Sequence, residues 1–343
     1  MYKSAVRISI VLGLAASIAC SFPVVLSRGQ DEVEEPGTLA PPEVVEESPE
    51  AALPQASGTL KLIFIHHSSG ENWLADENGG LGLALMESGY FVSDTNYDWG
   101  PVVSDLGGPI GSFTDAGHWW TWFHGTESQT ILDALFAESE QHASYGRLEQ
   151  DPGGENQIIL FKSCFPNSAL EGTPYDPPAE ADNPLRGMDA WSGLLTIANA
   201  KGIYIDLLEV FASHPDKLFV AISAPPLYEE ETSPEQAANA RAFNRWLVED
   251  WLAEYPLPNV AVFDFYNVLT SNGGSPDEND AGASSGNHHR LVDGGIEYVY
   301  DQGSDTSGYA NPGDSHPTAA GNQKATEEFV PLLVLFVQRW LSE

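Results

Sequence analysis

Leu60-Lys61-Leu62-Ile63-Phe64-Ile65-His66-His67-Ser68-Ser69-Gly70 decides how this chain is read. The run from Leu60 to Ile65 is short, almost wholly apolar and lacks polar alternation, which suits a strand buried on both faces. It then stops abruptly at two imidazoles and two hydroxyls. The same grammar recurs downstream. Gln157 to Phe161 is apolar and runs into Lys162-Ser163-Cys164-Phe165-Pro166-Asn167-Ser168. Lys217 to Ile222 runs into Ser223-Ala224-Pro225-Pro226, and Asn259 to Asp264 makes a fourth such segment. Helical spacing separates them, at Leu81 to Ser88, Ser128 to His142, Trp191 to Phe211 with a break expected near Gly202, and Pro234 to Tyr255. A closing helix is expected from Thr318 to Leu341. Strands alternating with helices predict an α/β fold, with a mostly parallel sheet covered on both faces. Ligands in such folds meet the carboxyl ends of the strands, so the chemistry belongs in the polar segments that follow each run.

Those segments hold a nucleophile, an amide and an imidazole. Ser68 is the nucleophile candidate, with Ser69 as its competitor. Asn167 is a candidate oxyanion donor. His316, in Gly313-Asp314-Ser315-His316-Pro317-Thr318, is a candidate general base, with Asp314 placed to orient it. A serine needs a base, the base an orienting partner, and the oxyanion a set of donors. Polar residues also gather at strand ends simply to build loops, so residue types alone leave both readings open.

The other reactive side chains divide similarly. Adjacent strand residues point to opposite faces, so His66 and His67 make a poor metal pair. One is expected to line the site, with His67 assigned to substrate, and the other to support a loop. No helical His-Glu-x-x-His spacing appears, and neither a metal nor a cofactor is expected. His288, in Asn287-His288-His289-Arg290, either reaches substrate or sits in a solvated loop. Trp120, within Trp119-Trp120-Thr121-Trp122-Phe123, either offers a stacking face to a sugar or belongs to a core cluster. Cys164 reads as an inert thiol, and the acidic stretches near Asp277–Asp280 and Asp301–Asp305 lack the calcium-loop pattern.

In element order the chain resembles the SGNH/GDSL hydrolases, serine esterases and lipases on a flavodoxin-like three-layer α/β/α fold. Ser68 stands where that family's nucleophile follows the first strand, with His66-His67 in place of Gly-Asp. Asn167 stands in the place of the family's oxyanion Asn, without its Gly. Asp314-Ser315-His316-Pro317 resembles the Asp-x-x-His-Pro block, one residue shorter. If Tyr90-Phe91-Val92 is the family's second strand, Gly100 becomes the backbone oxyanion donor, with Gly107 and Gly108 as alternatives. The resemblance implies a Ser68-His316-Asp314 arrangement acting on an acyl ester, by hydrolysis or transfer, with a carbohydrate ester as the first substrate class. A non-catalytic carbohydrate- or surface-binding domain on the same fold is the alternative, because fold does not fix function.

The chain has 343 residues, with 14 Lys+Arg against 50 Asp+Glu, a formal net charge of −36. No basic surplus exists to build a nucleic-acid or anionic-membrane patch. Residues 1–57 carry 3 basic and 8 acidic side chains, leaving 11 and 42 to residues 58–343. The acidity therefore clothes the globular part, as a solubility device or an adaptation to salt. Lys3 and Arg7 precede an apolar stretch from Ile8 to Ala19 that ends at Cys20, which reads as an export segment over 1–27. Ser17-Ile18-Ala19-Cys20 suggests lipid attachment at Cys20. An uncleaved anchor and free secretion are the alternatives, so membrane contact is expected only through this segment. Residues 28–57 read as an acidic Pro-rich linker, and 58–343 as a monomeric catalytic domain.

Overall fold

The computed structural model describes residues 58–180, 182–270, 287–300 and 305–342, all within a compact unit that spans Leu53–Glu343. The expected export segment with Cys20, the linker and both acidic stretches other than Asp305 lie outside the described residues. Five parallel strands form one sheet: β1 (Lys61–Ile65), β2 (Phe91–Thr95), β3 (Ile158–Lys162), β4 (Leu218–Ile222) and β5 (Val260–Phe263). Their order is β2-β1-β3-β4-β5, the flavodoxin-like arrangement whose topological switch lies between β1 and β3. Ile65 pairs with Thr95 on one side and Phe161 on the other. The segments after β1, β2 and β3 therefore leave the sheet side by side.

Among the described residues are eight α-helices: α1 (Ser68–Leu74), α2 (Leu81–Glu87), α3 (His118–His124), α4 (Ser128–Ala137), α5 (Ile197–Ser213), α6 (Pro234–Glu249), α7 (Phe265–Leu269) and α8 (Ala319–Leu341). Alternation along the strands sorts them into two layers. Ile63, Ile65, Ile159, Phe161 and Phe219 face a core built with α3, α4, α5 and α6. Leu62, Phe64, Leu160, Val220 and Phe263 face a second core with α1, α2, α7 and α8. Each strand is apolar on both sides because each side meets a helix layer. The protein is thus a three-layer α/β/α fold. No helix among the described residues is long and apolar enough to cross a membrane.

Several boundaries differ from the expected ones, for local reasons. Thr196 caps α5, its side chain accepting from the Asn199 amide at 3.1 Å, so that helix starts at Ile197 and not at Trp191. Ser233 and Gln236 form a capping box at α6, with Pro234 at the first helical position. The break expected near Gly202 does not occur. Gly202 serves close packing instead: a Cβ there would lie 2.6 Å from the Ala179 carbonyl and 2.7 Å from Asn183 Nδ2. Gly202→Ala should therefore destabilise by about 1–3 kcal/mol through overpacking, although alanine is the better helix former. Denaturant titration of the two proteins checks the sign.

The two hairpins were not expected. β6 (His289–Val292) pairs with β7 (Gly295–Tyr298), and β8 (Ala310–Asn311) with β9 (Asp314–Pro317), both antiparallel. Gly313 turns the second with φ +77, a conformation that suits glycine.

Candidate active site

Three expected residues meet. Ser68 begins α1 directly after β1, and His316 lies on β9 just before α8, 248 residues later. The Ser68 hydroxyl lies 2.7 Å from His316 Nε2. On the other side of the ring, Nδ1 lies 2.6 Å from Asp314 Oδ1, and the same oxygen accepts the His316 backbone N–H at 2.9 Å. A carboxylate can only accept, so the ring hydrogen sits on Nδ1 and Nε2 presents its lone pair to the Ser68 hydroxyl. The backbone and ring hydrogen bonds of His316 hold the Asp314 carboxyl below its ordinary value.

The β9 segment is held from beneath. The buried Ser315 hydroxyl accepts the Tyr228 amide at 2.9 Å and donates to Glu231. Phe165 packs edge-on to the His316 ring, with centroids 4.8 Å apart. Trp73 of α1 donates to Thr326 Oγ1 of α8 at 2.9 Å, which ties the helix of Ser68 to the one that follows His316.

His67 stands beside Ser68 but in a narrower role than expected. Its ring stacks on Tyr97 at 4.0 Å, and Nε2 donates to the Gly111 carbonyl at 2.6 Å. Burial lowers its pKa to about 4, against that hydrogen bond, so the ring is neutral at physiological pH.

Asn167 departs from expectation. Its Nδ2 donates to Asp115 Oδ1 at 2.7 Å and to the Cys164 carbonyl at 3.1 Å, while Oδ1 accepts the Ala116 amide at 2.8 Å. A side-chain amide has two hydrogens, and both are engaged. In this conformation Asn167 holds a loop instead of offering an oxyanion donor. Asp115, unforeseen from sequence, is the centre of that loop, since its Oδ2 also accepts the Ala190 amide at 3.0 Å.

Of the other assigned residues, Gly100 and Trp120 are placed and His288 is corrected. Gly100 lines an open cleft of about 530 Å³ with Tyr97, Trp99, Ala134, Glu138 and His142. Of its alternatives, Gly107 donates its amide to the Ser104 carbonyl at 2.9 Å. Trp120 stacks on His124 and lies under the Arg186 guanidinium, while Trp119, Trp122 and Phe123 are buried core residues. Most of the aromatic cluster is therefore core, with Trp120 half-buried at its edge. His288 is buried, with Nδ1 3.2 Å from Glu328 Oε1, so it is neither a solvated loop residue nor a substrate contact. Ser69 is also buried and its hydroxyl meets no partner, which leaves Ser68 as the serine that faces the base.

The donors that remain for an oxyanion are backbone groups. The first amides of a helix have no acceptor within it, and Ser68 opens α1. Its own N–H is therefore the donor available at the nucleophile.

No protein-family model matches the chain, and no curated protein matches it. A solved structure is similar at 13% identity, covering 80% of this chain and 96% of its own, with a TM-score of 0.34.

Proposed function

We propose that this protein is an exported serine hydrolase of SGNH/GDSL character, which cleaves or transfers the acyl group of a carboxylic ester. One observation carries the reading: a hydroxyl, an imidazole and a carboxylate form a continuous hydrogen-bonded line at the carboxyl end of the central strands. Ser68 Oγ attacks the ester carbonyl while His316 Nε2 takes its proton. Asp314 stabilises the imidazolium that forms. The Ser68 amide donates to the oxyanion, and His316 then returns the proton to the departing alcohol oxygen. Water, or an acceptor alcohol in a transferase, repeats the sequence on the acyl-enzyme.

Export rests on the N-terminal sequence. A carbohydrate ester remains the first substrate class by resemblance. The acidic exterior favours neutral or cationic substrates over anionic ones. The committed amide of Asn167 favours the rival, a binding domain without turnover. A fluorophosphonate probe separates the two. The hydrolase reading expects covalent labelling of Ser68 in the wild-type protein and none in Ser68→Ala or His316→Ala. Failure of the folded wild-type protein to label would favour the binding domain.

A further inference from the structure

His66 is wholly buried at the end of β1, one residue before the site and on the opposite face from His67. Gly70 approaches it so closely that a Cβ there would lie 2.3 Å from the His66 Cβ. Its Nδ1 lies 2.9 Å from the His67 carbonyl oxygen, and its Nε2 lies 3.1 Å from Asp94 Oδ2. Asp94, on β2, is equally buried. Its Oδ1 accepts the His142 amide at 2.8 Å and the Tyr145 hydroxyl at 2.9 Å. Burial opposes ionisation of Asp94, but these hydrogen bonds and the His66 ring outweigh it and keep the group a carboxylate. A carbonyl and a carboxylate are both acceptors only, so each His66 nitrogen carries a hydrogen. Both ring nitrogens are thus placed as donors, one to the His67 carbonyl and one to the Asp94 carboxylate.

A buried ion pair is weak evidence for stability, since apolar residues of the same volume often do as well. Its placement suggests another use. The His67 carbonyl that His66 grips also accepts the Gly70 and Glu71 amides at 2.8 and 2.9 Å, the bonds that open α1. That carbonyl belongs to the same peptide group as the Ser68 N–H. The group is planar and trans, so fixing the oxygen fixes the direction of the N–H. A charged donor on the oxygen also polarises the peptide and strengthens the N–H as a donor.

We infer that His66, held as an imidazolium by Asp94, is a positioning residue that aims and polarises the Ser68 backbone N–H as the principal oxyanion donor, in place of the committed Asn167 amide. The inference rests on the serine-hydrolase reading above.

Two variant pairs test it in the full chain, with p-nitrophenyl acetate as substrate and Ser68→Ala as control. An Asn side chain places its amide near the position of Nδ1, facing the His67 carbonyl; a Gln side chain places it near Nε2, facing residue 94. Each is combined with Asp94→Asn, so that no carboxylate is left alone in the core. His66→Gln/Asp94→Asn should lose about tenfold to a hundredfold in kcat with KM within about twofold, part of the loss seen on removing a whole oxyanion donor. His66→Asn/Asp94→Asn should recover to within about fivefold of wild type. Nitrogen NMR of the wild-type imidazoles, which needs no variant to fold, should show both His66 nitrogens protonated. Equal losses in the two pairs, a change confined to KM, or a singly protonated His66 would each overturn the inference. Wild-type turnover by Ser68→Ala would sink the hydrolase reading and the inference with it. Ser68 dependence with full kcat in the Gln pair would sink the inference alone.

Discussion

Ser68→Ala and His316→Ala should each lower kcat for an ester substrate by about a thousandfold or more, and the double variant should be hardly worse than either single. The reason is geometric. Among the described residues, the 2.7 Å contact between Ser68 Oγ and His316 Nε2 is the hydrogen bond available to the hydroxyl proton. A hydroxyl without its base, or a base without its hydroxyl, does equally little. Asp314→Asn should cost about tenfold to a hundredfold less than either, because Asp314 is half exposed and water can take part of its place beside Nδ1. KM should move little in all three, since none of these groups grips the ground-state ester more tightly than its transition state. Steady-state kinetics on the purified variants, with unfolding curves to confirm folding, give the comparison. Multiplicative losses in the double variant would show that the two side chains act separately and would break the proposed triad.

Glu328→Gln should be the most destabilising of the changes considered, by about 3–5 kcal/mol, a fall in Tm on the order of 10 °C. Glu328 is a wholly buried carboxylate on α8. It accepts the His288 and His289 amides at 3.0–3.1 Å, both of their Nδ1–H groups at 3.2 and 2.8 Å, and faces the buried Lys324 ammonium at 3.6 Å. A glutamine turns one of its oxygens into a donor that meets donors, and leaves the ammonium without a counter-charge. Burial alone would raise the Glu328 pKa, but the two imidazoles and their hydrogen bonds hold it well below the usual carboxylate range. The folded value lies below the unfolded one, so the contribution is complete above the ordinary carboxyl pKa and is lost as pH falls towards the folded value. Stability of the wild type should therefore drop through the acid range more steeply than that of Glu328→Gln. Chemical denaturation at a series of pH values measures both slopes, and parallel slopes would contradict the assignment.

Much of this architecture is legible in the chain because parallel strands covered on both faces become unbroken apolar runs. β1, β3, β4 and β5 fall within a residue or so of their expected limits for that reason. α1 is not legible: it has seven residues, and only Trp73 and Leu74 mark its apolar side. α3 hides inside an aromatic cluster that reads equally well as a binding platform. The hairpins are polar and short, so no periodicity announces them. At the site, Ser68, His316 and Asp314 can be read because each stands at an element boundary where polar groups are exposed to one another. The commitment of Asn167 cannot, because it depends on Asp115, 52 residues away in a loop that carries no pattern. His66 leaves one faint signal. β2 reads Phe91-Val92-Ser93-Asp94-Thr95, and a buried aspartate, even on the edge strand, requires a charged or hydrogen-bonding partner.

The distance along the chain between nucleophile and base has a temporal meaning. Among the described residues, Ser68 belongs to the first helix and His316 to the segment that precedes the last one, so parts of the domain 248 residues apart must dock before a proton can pass between them. Contacts of this sequence separation carry a loop-closure cost that local helices do not. On the proposed hydrolase reading, a nascent or half-folded chain would expose Ser68 without its base, and the docking of the segment before α8 would act as the safety catch.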